Sequence, residues 1–367
     1  MRKIYTLALF LIGCWGAVQA QDPSFSQFYA NKLYLNPAFA GSQPGLTLSM
    51  AYRSQWSYVP GGFKTYSLGV DIQEPLLSST FGFFAMQDQE GAGALKTLHS
   101  GFIYGYIIRA SKNFNIHMAV KTSYNEKSVD WSKLTFTDQL DPVYGVIRPT
   151  TAVPIVERKQ YVDFDAGLVA RFSAKIGKLE TNNNIGFAVH HLAEPDESLQ
   201  LLGTTVPRRY TFHAGSMLPI NYWTSSDKRI FYISPNIKFD YQNNIKVLTY
   251  GFYALSSPFY VGLFYQNQQP AIDLNNTNAL IVVAGLEGNL SKVSTYTIGY
   301  SFDANMTGLS TTARGVHELT FRMNFQAATF FGAKKGFSQG PRGGSSGRRK
   351  YKGDCYKFKG KNAVSIF

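Results

Sequence analysis

Between residues 46 and 325 apolar and polar residues alternate with a period of two. Leu46, Leu48, Met50 and Tyr52 alternate with Thr47, Ser49, Ala51 and Arg53; Tyr66, Leu68, Val70 and Ile72 alternate with Thr65, Ser67, Gly69 and Asp71. Phe164, Ala166, Leu168, Ala170 and Phe172 face away from Asp163, Asp165, Gly167 and Arg171, and Leu319, Phe321, Met323 and Phe325 oppose Glu318, Thr320, Arg322 and Asn324. Side chains on a strand point to opposite faces in turn, so each segment puts one face in an apolar medium and one in a polar medium. The chain is therefore all-β over this span.

A soluble sandwich and a membrane barrel both satisfy that pattern, and three features separate them. The segments run about ten residues, the length a tilted strand needs to cross hydrocarbon. Tyrosines collect near their ends (Tyr104, Tyr106, Tyr124, Tyr241, Tyr265, Tyr296, Tyr300), as in an interfacial girdle. The polar face carries Asp, Glu, Lys and Arg in mid-strand, which a wet or plugged lumen tolerates and a dry core does not. These features predict a transmembrane outer-membrane β-barrel of about 14 antiparallel strands, an even number as bacterial barrels require. Expected strand centres are Ser49, Leu68, Phe84, Tyr104, Val120, Leu168, Ala188, Ala214, Ile237, Tyr250, Leu263, Val283, Ile298 and Phe321. Odd-numbered connections then include the long polar ones, residues 125–162, 193–208, 267–278 and 303–314. Even-numbered ones include the tight residues 110–113 and 256–258. Long outside and short inside is the barrel asymmetry, with both chain ends expected in the periplasm.

Ahead of the barrel lies residues 21–45, opening QDPSFSQFYANKLYLNPAFAG. Asp22-Pro23 reads as a helix start, Phe25, Phe28, Tyr29 and Lys32 as an aromatic helical stripe, Asn36-Pro37 as its stop and Gly41 as a turn. A barrel of about 14 strands has more interior than its own side chains fill. This segment is the expected plug or brace, placed at the periplasmic mouth.

Residues 1–20 have a basic start at Arg2-Lys3, an apolar run and small residues ending in Ala20, a secretory signal with cleavage between Ala20 and Gln21. A second reading takes Leu11-Ile12-Gly13-Cys14 as a lipoprotein signal acylated at Cys14. Under the first, Cys355 is the one mature cysteine, which excludes an internal disulfide. The formal charge is +13; without Arg2 and Lys3 it is +11, and ten basic residues against Asp354 from Lys334 onward contribute +9. The basicity belongs to a Gly-rich tail (residues 326–367) and not to the body, which gives no support to nucleic acid as a partner. Arg348, Arg349, Lys350 and Tyr356 are that tail's candidate contacts, on a periplasmic partner or an anionic surface.

No constellation for catalysis, cofactor or metal emerges. The six histidines (His99, His117, His190, His191, His213, His317) lack zinc-hydrolase spacing, and His190-His191 on one strand are expected on opposite faces. Gly91-Ala92-Gly93 lacks the third glycine of a dinucleotide site, and residues 273–284 lack the Gly and Glu of a calcium loop. Asp163 and Asp165 are expected to line the lumen.

The opening segment resembles the mature N-terminus of the PorP/SprF family, outer-membrane proteins of the Bacteroidetes type IX secretion and gliding systems. Tyr52-Arg53-Ser54-Gln55-Trp56 with Pro60-Gly61-Gly62, Asp130-Trp131-Ser132-Lys133-Leu134, and Pro207-Arg208-Arg209-Tyr210 leading to His213-Ala214-Gly215 are similar to later family text, in the same order. The resemblance implies a non-enzymatic component that supports secretion or surface anchoring of large adhesins. Its implied partners are a secreted adhesin or its C-terminal domain and other type IX components. It implies Asp22, Pro23, Phe25, Phe28, Tyr29, Asn36, Pro37 and Gly41 as the plug motif. It makes Arg53, Trp56, Trp131, Arg208, Arg209 and Tyr210 the outer-loop contact candidates. A passive porin is the alternative that the barrel alone would serve.

Overall fold

The computed structural model describes residues 22–57, 61–91, 94–111, 113–151, 156–176, 179–199, 203–220, 231–269, 277–291, 293–306 and 315–330. In chain order the strands are β1 (Leu46–Gln55), β2 (Phe63–Glu74), β3 (Ser79–Glu90), β4 (Leu95–Ser111), β5 (Phe114–Val129), β6 (Leu140–Asp141), β7 (Gly145–Val146) and β8 (Arg158–Ile176). They continue with β9 (Leu179–His190), β10 (Arg209–Pro219), β11 (Phe231–Gln242), β12 (Ile245–Ser256), β13 (Phe259–Gln269), β14 (Thr277–Ser291), β15 (Ser294–Asn305) and β16 (Val316–Phe325). Fourteen of these close into one barrel, each strand antiparallel to its neighbours; β6 and β7 form a separate small hairpin. The seam is β1 on β16, with Leu46 opposite Phe325 and Gln55 opposite Val316. All fourteen expected strand centres fall within barrel strands.

The alternation resolves with its apolar face outward. Phe102 is 73% exposed and Val120 56%, whereas the intervening positions Lys121, Asp163, Asp165 and Glu318 are buried. Large apolar residues on the outside and charge on the inside invert a soluble core, and lipid is the medium that makes the arrangement stable. Among the described residues no helix is long and apolar enough to cross a membrane, so crossing falls to the strands.

Two ends can be told apart. At one, termed the turn end, β2–β3, β4–β5, β12–β13 and β14–β15 connect tightly, and β1 begins and β16 ends there. The opposite, loop end carries residues 130–157 and 191–208. It also has short connections, between β3 and β4 and between β11 and β12, where Asn243 and Asn244 both take positive φ (44° and 68°). β4, β5 and β8 reach 17, 16 and 19 residues, longer than the expected ten or so. At ~3.3 Å per residue these exceed a ~25 Å apolar band, so their loop-end parts stand clear of hydrocarbon. That extension carries charge pairs: Arg158 to Glu126 at 3.3 Å, Lys127 to Glu197 at 3.0 Å and Lys159 to Asp196 at 2.9 Å.

Residues 22–45 lie inside the barrel. The expected short helix from Asp22 is instead irregular chain with bends and one turn through residue 31, one α-helical turn, α1 (Lys32–Leu35), and a 3-10 turn at Pro37–Phe39. Asp22 caps no helix. The amides that a helix would have satisfied internally find partners on the wall: Ser26 and Gln27 N–H both donate to the Glu318 carboxylate, at 2.8 and 3.1 Å. Asn36 stops α1 as expected, and its Oδ1 accepts from the Ala38 N–H at 2.9 Å. Gly41 takes φ 62° in the turn that follows.

Candidate functional site

The interior of the barrel, where residues 22–45 meet the inward faces of the strands, is the candidate site. Its apolar part joins side chains of the segment to inward wall residues such as Phe84, Met86, Tyr253 and Phe264. Phe25, Phe28, Tyr29, Leu33, Leu35 and Phe39 are each at most 5% exposed, and Phe28 packs edge-on against Phe264 of β13 at 5.7 Å between centroids. Phe39 stacks on His213 at 5.0 Å. Asn36 is a hub: its Nδ2 donates to the Leu168 and Phe187 carbonyl oxygens at 3.2 and 3.1 Å, beside His213 Nε2 at 3.2 Å. Gly167 makes room for it, since a Cβ there would overlap the Asn36 amide.

The polar contacts follow the segment along the lumen. Ser26 Oγ donates to Asp303 at 2.5 Å and Thr320 Oγ1 to Gln27 Oε1 at 3.0 Å. Tyr29 OH donates to Asn184 Oδ1 at 3.1 Å and Asn31 Nδ2 to Ser67 Oγ at 3.0 Å. Near the turn end the Gly41 N–H donates to Asp71 at 2.8 Å, Arg171 to the Ser42 carbonyl at 2.6 Å and Asn324 to the Pro44 carbonyl at 3.0 Å. Lys32 is buried in this half.

The loop end holds the densest charge. Asp22 lies 2.9 Å from His191 Nε2 and 3.0 Å from Arg209, and His191 Nδ1 is 2.5 Å from Asp163. Asp165 pairs with Lys121 and stands 3.2 Å from His190 Nδ1. Arg209 also donates to Tyr34 OH at 2.8 Å and lies 4.7 Å over the Tyr34 ring, while Tyr34 OH donates to the Pro23 carbonyl at 2.5 Å. Burial works against charge on Asp22, yet His191 and Arg209 outweigh it and hold the carboxyl well below its usual range. Burial likewise opposes charge on His191, but Asp22 and the hydrogen bonds to Asp163 and Asp22 push it up to about 10. Ligand atoms of Asp163, Asp165 and His191 come within 4.8 Å of one another, close enough to hold a cation. The surrounding charges fit such a role poorly: with His191 protonated, three carboxylates already face His191, Lys121 and Arg209. The cluster is a self-neutralising clamp.

Several expected positions move. His190 and His191 do not take opposite faces: β9 ends at His190, His191 turns at φ 59°, and both rings are buried beside Asp163 and Asp165. Arg209 is buried in the lumen against residues 22–34, and Arg53 is partly buried on the inward face, 2.6 Å from Gln55; neither belongs to an outer loop. Tyr210 points outward from the wall, stacked between Phe187 and Tyr241. Trp56, Trp131 and Arg208 do lie at the loop end, Trp56 against Phe63, Trp131 stacked on Phe136 and Arg208 3.6 Å from Glu194. Ala20, Gln21 and the tail candidates Arg348, Arg349, Lys350 and Tyr356 lie outside the described residues. Asp303, Asn184 and Lys121 are interior contacts that sequence reasoning did not single out; like Glu318, they are polar residues on the face opposite the apolar stripe.

The sequence matches the family described as type IX secretion system membrane protein PorP/SprF over residues 17–323. The chain belongs to the PorP/SprF family. That membership and the outward apolar belt make it an outer-membrane β-barrel of the type IX secretion system. No curated protein matches the sequence. Among solved structures, this PorP/SprF barrel is similar to the Ralstonia pickettii toluene transporter TbuX (9% identity, TM-score 0.44, covering 81% of this chain and 94% of that one). It is also similar to Pseudomonas putida OprB (7% identity, TM-score 0.35, 77% and 93%) and to a Pseudomonas aeruginosa FadL homologue (11% identity, TM-score 0.36, 77% and 89%). Likenesses this distant say nothing about what the PorP/SprF chain binds or moves.

Proposed function

We propose that this protein is a non-enzymatic docking component of the type IX system. It receives the C-terminal domain of a large secreted adhesin and supports its secretion or its anchoring at the surface. The observation that carries this reading is the occupied lumen. Residues 22–45 fill the interior with buried aromatics and are bonded to the wall from the loop end to the turn end, which leaves the mouths as the working surfaces. Long connections facing outward and tight turns facing the periplasm follow bacterial barrel practice. In that orientation residues 130–157 present Val143 and Tyr144, each 80% exposed, on the structured β6–β7 hairpin, a surface suited to a protein partner and remote from lipid. The basic tail then lies on the periplasmic side, where other type IX components meet it.

Purification of the tagged protein from native membranes in low salt tests the reading. The expected result is recovery together with a secreted protein through its C-terminal domain, and with type IX components. Planar-bilayer conductance tests the porin alternative. The wild type is expected to be closed or nearly so, and a large, steady open pore in the wild type, with no protein recovered alongside, would overturn the docking role.

A further inference from the structure

Residues 22–45 do not fold back into the mouth from which they enter. Read from β1 backwards, Gly45 and Pro44 lie at the turn end beside Asn324, Ser42 beside Arg171 and Gly41 beside Asp71. Asn36 and Tyr29 sit at mid-height against Leu168 and Asn184. Gln27 and Ser26 meet Thr320, Glu318 and Asp303, and Asp22 reaches His191, just past β9, and Arg209, the first residue of β10. Those last partners all belong to the loop-end portions of their strands. The segment thus runs the length of the lumen, and its first described residue stands at the mouth opposite the one where β1 begins and β16 ends. The last described residue, Phe330, lies at the other end, the turn end, where its N–H donates to Glu74 at 3.2 Å.

We propose that the amino end of the mature chain is threaded through the barrel and presented at the loop-bearing mouth, where it forms part of the outward-facing surface. Three contacts keep it there: the ion pairs of Asp22 with His191 and Arg209, and the bond from Tyr34 to the Pro23 carbonyl. Next to it a pocket is lined by Pro23, Ser24 and Phe25 together with Gln242, Ile245 and Gln268, which lie in the loop-end parts of β11, β12 and β13. The amino end and the loops therefore make one composite surface. Naming that mouth as the cell exterior rests on the orientation given under Proposed function; the threading itself does not.

Impermeant maleimide labelling of intact cells tests both separately. In a Cys355→Ser background, single cysteines are placed at Ser24, at Val143 on the loop-end hairpin, and at Leu77 in the β2–β3 turn. The expected result is that S24C and V143C label equally before and after the outer membrane is permeabilised, whereas L77C labels only afterwards. Labelling of V143C but not S24C on intact cells overturns the threading while leaving the orientation intact. Labelling of L77C and not V143C overturns the orientation, and S24C then tracks V143C if the segment is threaded. A second variant carries a protease recognition site directly ahead of Asp22. Cleavage by protease added outside supports the proposal, and cleavage only after permeabilisation, with V143C still labelled on intact cells, overturns it.

Discussion

At Asp22 a single carboxylate answers two cations, and the pH behaviour of the clamp follows from the opposite shifts of its members. His191 is raised from an ordinary value of 6.5 to about 10, above its unfolded value. Its contribution is complete below about pH 6.5 and is lost as pH rises through about 10. Asp22 is depressed, so its contribution is present above its ordinary value of 3.8 and is lost as pH falls below that. The hold on the amino end should therefore be greatest between about pH 4 and 6.5. Protease cleavage ahead of Asp22 in the detergent-solubilised protein, followed from pH 4 to pH 10, should be slowest in that window and accelerate on the alkaline side. His191→Gln should abolish the alkaline acceleration by making cleavage fast throughout; a wild-type profile that the variant leaves unchanged would show that His191 does not hold the segment. The sequence displayed the His190-His191 pair but concealed its geometry. Alternation assigns the rings to opposite faces only while the strand continues, and the left-handed turn at His191 ends it.

At the scale of the element, the aromatic stripe was legible and the helix was not. Phe25, Phe28 and Tyr29 are buried as their spacing suggests, yet the backbone that carries them is turned through residue 31. The wall supplies acceptors such as Glu318 at the positions where a helix would supply its own carbonyls, and no local rule encodes a partner almost three hundred residues away. Replacing Phe25 and Phe28 together by Ala should free the segment, since a buried Phe→Ala change costs about 3–5 kcal/mol. The readout is a rise in planar-bilayer conductance with the barrel still inserted. Gly45 is the pivot between lumen and wall, at φ 79°, where a Cβ would run into the Phe325 carbonyl. Gly45→Ala should cost more than the roughly 1–2 kcal/mol of the left-handed backbone alone, seen as a lower melting temperature. Gly91→Ala, at φ 61° in open space, should show the backbone part of that cost without the collision.

At the scale of the whole molecule, the barrel could be read from the period, and strand number and the outward apolar face follow from it. Strand length could not, because β4, β5 and β8 continue into water, where polar residues such as Glu126 and Arg158 pair and the apolar pattern no longer marks the strand. The protein extracted in detergent should migrate faster unboiled than boiled and resist release by aqueous washing. Removal of residues from Gly332 onward should leave that mobility shift intact, because β16 already pairs with β1 along its full length; loss of the shift would place the tail within the fold. The closed seam also governs how the segment could leave. The ladder offers no side exit, so residues 22–45 can be withdrawn only lengthwise, with the Asp22 clamp, the buried rings and the wall bonds released along the way. Like a cord knotted along its length inside a hoop, the segment is retained by the ring it crosses.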